Sequence, residues 1–157
     1  MTRRGAARIA VFTATLCCVT MGPVAGASAS SKSIKAAIVG YGSKIEASEE
    51  AVSKAVEEFK TSSDPTGVEA ALGEASAVLG ALQSKVAHQS ARTLRVKRAK
   101  AKIVKGLHLI IAGYRVLSKA YEEKATNQEA ANADAAHSVA VVKSGKKELD
   151  AGVKLLS

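Results

Sequence analysis

The stretch KVAHQSARTLR, residues 85–95, decides whether this chain folds as four helices or as three. No Gly or Pro falls between Gly80 and Gly106, and apolar residues keep a continuous heptad phase through the stretch. A single helix from Thr66 to Glu123 would satisfy that spacing. Yet the heptad positions inside the stretch, Gln89 and Thr93, are polar, and Ser90 is a good helix-capping type. Leu94 marks the midpoint of the Thr66–Glu123 span, so a turn there yields two helices as long as the segments on either side. The spacing therefore predicts a turn within residues 89–95, capped by Ser90. The alternative is three helices with one long central helix.

Outward from that turn the periodicity is helical throughout. Ile34, Ile38, Tyr41, Ile45, Ser48, Val52, Ala55 and Phe59 alternate at four and three, a heptad stripe over residues 31–61. After Ser62-Ser63-Asp64-Pro65, where Asp64 can cap and Pro65 can take the first helical position, Val68, Leu72, Ala75, Leu79, Leu82 and Val86 repeat it. Val96, Ile103, Leu107, Ile110, Tyr114, Leu117 and Tyr121 form a third stripe, interrupted at Lys100 and ending near Lys124. Thr126 and Glu129 then have capping-box spacing, and Ala135, Val139, Val142, Leu149, Val153 and Leu156 form the last stripe. No alternating strand pattern competes. The expected fold is all-α, an up-down-up-down four-helix bundle of two αα-hairpins.

Small residues recur every seventh position and suggest how the helices pair. Antiparallel pairing of Ala99 with Gly152, Gly106 with Gly145, Gly113 with Ser138 and Ala120 with Ala131 keeps one register about a turn at residues 125–126. Gly40 with Ala87 and Ala47 with Gly80 do the same about residues 63–64. Gly inside a helix costs about 1 kcal/mol relative to Ala, and close backbone approach is a reason to keep it. Two glycine seams are expected.

The N-terminus reads as a secretory signal. Arg3, Arg4 and Arg8 precede the apolar run Ile9–Val19, and Ala25-Gly26-Ala27 followed by Ala27-Ser28-Ala29 gives small-residue cleavage patterns. This divides the chain into a signal peptide, 1–29, and a helical bundle domain, 30–157. The uncharged stretch Ile9–Ser31 also has the length of a membrane span, so an uncleaved anchor is the alternative. Cys17, Cys18, Met1 and Met21 all lie in this leader, which leaves the remainder without sulfur. The signal and the Ala-rich, Arg-containing character resemble exported proteins of bacteria with GC-rich genomes. The expected location is secreted or extracytoplasmic, at the cell envelope.

Composition narrows the function classes. The chain has 157 residues, a net charge of +9, 47% hydrophobic residues, 3% aromatic residues and no Trp. Disordered, collagen-like, disulfide-stapled and multi-domain proteins are excluded on those grounds. His88, His108 and His137 stand isolated. Glu-x-x-His, a phosphate-binding Gly loop, a nucleophile elbow and a CxxC pair are all absent. No enzyme activity, metal or cofactor is expected.

Charge is more informative, because residues 44–74 hold three bases and eight acids whereas residues 85–119 hold ten bases and no acid. Lys97, Arg98, Lys102, Lys105, Arg115 and Lys119 lie on the side of the third helix away from its core stripe, a candidate face for an anionic partner. That partner would be an anionic envelope polymer or a membrane surface. The competing expectation is a solvated face neutralised by the acidic first helix. No aromatic residues interleave with the bases, so dedicated nucleic-acid binding is not expected. Leu109, Ala112 and Val116 form a candidate apolar contact patch on the same helix, for a second copy of the chain or a ligand, unless that helix is simply the most central. The sequence thus points to a non-enzymatic binding or interaction module. The alternatives are a carrier of a small apolar ligand in the bundle core and an enzyme of unrecognised type.

Overall fold

A computed structural model describes residues 29–157; the expected signal peptide up to residue 28, with Cys17 and Cys18, lies outside the described residues. The described chain is all-helical: α1 (Ala29–Ser62), α2 (Thr66–Ala87), α3 (Leu94–Glu123) and α4 (Gln128–Lys154), with no strand. The single long central helix is thereby excluded.

The turns show which polar residues close each helix. Residues 88–93 separate α2 from α3, and the cap is Thr93 rather than Ser90. Thr93 has an extended backbone, and its hydroxyl accepts the Val96 N–H at 3.2 Å. Lys100, the polar break in the third stripe, donates its ammonium to the Gln89 carbonyl at 2.8 Å and so satisfies the backbone just beyond α2. Because six residues go to this turn, α2 is shorter than an equal division requires, 22 residues against 30 in α3.

At the end of α1, Ser63 takes a left-handed φ of 58° and donates its N–H to the Phe59 carbonyl at 2.9 Å. Asp64 then accepts from the Thr66 N–H at 3.0 Å and the Thr66 hydroxyl at 2.7 Å, which starts α2. Before α4 the capping-box expectation fails. Thr126 is spent closing α3, its N–H and hydroxyl both on the Glu123 carbonyl, and Asn127 accepts the Ala130 N–H at 3.1 Å instead.

Two clusters of buried side chains form the core. The larger joins all four helices, with Ile34 and Ile45, Leu82 and Val86, Val96 through Ile111, and Leu149 through Leu156. The smaller joins Val56 and Phe59 of α1, Val68 and Leu72 of α2, and Tyr121 of α3, whose ring meets Phe59 edge-on at 4.8 Å between centroids. Helix α3 is the hub: it packs on α2 and on α4 and also touches α1.

The seam between α3 and α4 explains their glycines. A Cβ added at Gly106 would lie 2.6 Å from the Gly145 carbonyl oxygen and 2.6 Å from the Leu149 nitrogen. One added at Gly152 would lie 2.9 Å from the Ala99 carbonyl oxygen, and one at Gly113 would meet Val142 and the Ser138 carbonyl. The two backbones therefore run in opposite directions in the register read from the sequence. Buried Ser138 donates its hydroxyl to the Gly113 carbonyl at 2.8 Å, which keeps a polar group in the seam satisfied.

The matching seam between α1 and α2 is not found. A Cβ added at Gly40 or Gly80 meets nothing within 4 Å, and Ala47 and Ala87 are exposed. Large residues such as Val56, Phe59, Val68 and Leu72 fill this interface, and side chains of that size hold helix backbones too far apart for a glycine contact. Val139, expected in the stripe of α4, is 37% exposed, because α4 turns its small-residue face to α3.

Candidate functional site

The six bases assigned to the outer side of α3 do not behave as one surface. Lys102 and Lys105 both donate to Glu148 of α4, each at 2.8 Å. Lys119 donates to Asp134 of α4 at 2.9 Å and lies 3.2 Å from Glu123. The two lysine hydrogen bonds pull the Glu148 carboxyl down to about 2, and those to Asp134 and Glu123 raise the Lys119 ammonium above its usual range. These ion pairs run to α4 and along α3 rather than to the acidic α1. Three of the six candidate bases thus have their charge answered within the chain.

The remaining three separate in space. Arg115 borders an open groove of about 360 Å³ between α2 and α3, together with Glu69, Ser76 and Tyr114. Lys97 and Arg98 are exposed in the first turns of α3 and take part in no ion pair among the described residues. Close to them in the chain are Lys85, Arg92 and Arg95, which are also exposed and also outside any such pair. These five bases surround the turn that joins α2 to α3. The sequence reading left out Lys85, Arg92 and Arg95 because it tracked one helix face, whereas a turn gathers residues from two helices and a loop.

Leu109, Ala112 and Val116 are half-buried. They lie beside Gly106 and Gly113, on the helix that α2 and α4 both cover. Among the described residues the exposed large apolar ones are Val39, Leu94 and Val139, and Leu94, 64% exposed, sits between Arg92 and Arg95.

His88, His108 and His137 are all exposed, and His88 Nδ1 lies 2.7 Å from the Ser84 carbonyl of its own helix. No three metal-ligating side chains converge among the described residues. No described helix is long and apolar enough to cross a membrane. Compared with models of protein families, with curated proteins and with solved structures, the chain matches none.

Proposed function

We propose that this chain is an exported, non-enzymatic binding module whose basic end engages an anionic partner at the cell envelope or outside the cell. In this proposal residues 1–29 are its signal peptide, and the domain is an up-down-up-down bundle of two αα-hairpins. One observation carries the reading: Lys85, Arg92, Arg95, Lys97 and Arg98 are exposed around one turn and no carboxylate pairs with them among the described residues. Such a cluster is held together against its own repulsion, and a polyanion relieves that repulsion while releasing counterions. The internally paired Lys102, Lys105 and Lys119 offer less, because a partner must first displace Glu148 or Asp134.

Retention on an anionic polymer matrix, compared with a neutral one across a salt series, tests this. Lys97→Gln with Arg98→Gln should lower retention and flatten its salt dependence, whereas Lys119→Gln should change it little. Equal retention on both matrices would overturn the proposal. Export is tested separately by N-terminal sequencing of secreted material, expected to begin at Ser28 or Ser30; a secreted chain that starts at Thr2 refutes cleavage.

A further inference from the structure

Charge in this domain is sorted by end, not by helix. The hydroxyl of Ser31 donates to the Leu156 carbonyl at 3.0 Å, and one core cluster holds Ile34, Val86, Val96 and Leu156. The start of α1, the end of α2, the start of α3 and the end of α4 therefore meet at one end. Dividing each helix at its midpoint, the half of the domain at this end carries fifteen Lys and Arg against two acids, Glu148 and Asp150. The far half carries five bases against twelve acids. A helix of this length spans about 45 Å, so the centres of the two halves lie roughly 22 Å apart. That is more than twice the Debye length of about 8 Å at physiological salt. The distant acids do not screen the basic end.

We propose that this end docks onto an anionic phospholipid surface, with Leu94 as the apolar contact inside a ring of bases. This deepens the anionic-partner reading above and rests on it. Two observations favour a bilayer over a soluble polyanion. Leu94 is exposed at the tip between Arg92 and Arg95, and an apolar side chain set among bases gains from a headgroup–acyl boundary but gains nothing from a sugar or phosphate polymer. No Phe, Tyr or Trp lies in the turn or the first two turns of α3, where a platform for stacking nucleic-acid bases would be expected. The acidic far half, repelled by the same lipids, sets the orientation with the helices upright.

The test uses the full chain with vesicles of phosphatidylcholine alone and of phosphatidylcholine mixed with phosphatidylglycerol. The tip variant Arg92→Gln/Arg95→Gln/Lys97→Gln is compared with Lys54→Gln/Lys60→Gln/Arg115→Gln, which removes the same charge from the far half. Each base at a membrane surface is worth about fivefold in partitioning. The tip variant should lose roughly a hundredfold of the phosphatidylglycerol-dependent binding, and the far-half variant less than about fivefold. Because the chain has no Trp, Leu94→Trp supplies a single reporter. Its emission should shift to the blue on phosphatidylglycerol vesicles, whereas that of Val139→Trp should not. Equal losses in the two triple variants would overturn end-on docking and, with it, the assignment of the anionic partner to the basic end. Binding to a soluble polyanion without phosphatidylglycerol-dependent vesicle binding would overturn the lipid assignment, and binding to neither would overturn both.

Discussion

Substituting Gly106 by Ala adds one methyl group to a helix interior and should nevertheless destabilise the domain. On propensity alone the change is favourable by about 1 kcal/mol. The new Cβ, however, would stand 2.6 Å from the Gly145 oxygen, 2.6 Å from the Leu149 nitrogen and 3.0 Å from the Leu149 Cα. All three are backbone atoms, so no side chain can rotate away. Ordinary contact requires α3 and α4 to separate by roughly 0.8 Å along a close-packed seam, and overpacking of this kind costs about 1–3 kcal/mol. With every clash on backbone the upper part of that range applies, and the net loss is about 2 kcal/mol, a fall of roughly 8 °C in melting temperature for a domain of this size. Gly40→Ala is the internal control: it lies inside α1 with nothing within 4 Å of the added Cβ and should rise by about 1 kcal/mol. Gly113→Leu should also destabilise, although its nearest neighbour is the movable tip of Val142. Thermal melts followed by circular dichroism decide the matter. If Gly106→Ala melts as high as Gly40→Ala, the seam is not packed as described.

Three further outcomes follow from particular groups. Burial, and secondarily the charge of Glu49, pushes the Tyr114 phenol up to about 12 from its ordinary 10.0; the stability this represents, on the order of 2 kcal/mol, is present below pH 10 and lost as pH rises toward 12, and Tyr114→Phe should flatten an alkaline unfolding titration over that interval. Glu148 has the opposite sign: held down to about 2 by Lys102 and Lys105, it stabilises the fold above about pH 4.5 and ceases to do so as pH falls through 2, so Glu148→Gln should show a shallower acid transition, most clearly at low salt. Ser63→Gly relieves a left-handed backbone at the end of α1 and should stabilise by about 0.5–1 kcal/mol, read as a rise of roughly 2–4 °C in the melt.

Much of the fold was legible because a heptad stripe is a statement about burial, and Ile34, Leu72, Leu82, Ile103, Leu107 and Ile110 are all fully buried. The turn near Leu94 was legible for the complementary reason, that Gln89 and Thr93 put polar groups where a continuous helix needs apolar ones. The seam rule held for α3 and α4 and failed for α1 and α2. Spacing alone does not say whether Gly is retained for contact or merely tolerated on an open face, as at Gly40 and Gly80. Cap identities were misread at Ser90 and Thr126 because several adjacent polar residues have capping chemistry, and only backbone angles select among them. The basic face was misjudged by treating α3 alone. In the α3–α4 register Glu148 falls opposite Ile103, between Lys102 and Lys105, so the pairing already reported for the glycines also contained the missing ion pairs.

Most helix packing here joins elements adjacent in the chain: α1 with α2, α2 with α3, and above all α3 with α4. The consequence concerns how the domain is reached rather than how it is held. Contacts of low sequence separation require little loop closure, and helical domains built from them fold within microseconds to milliseconds. A chain that crosses a membrane unfolded, as the export proposal requires, has to assemble on the far side with no second attempt supplied by the cytoplasm. With no cysteine in residues 29–157 it waits on no disulfide exchange, so thiol oxidation, one of the common slow steps, does not stand between emergence and the native state.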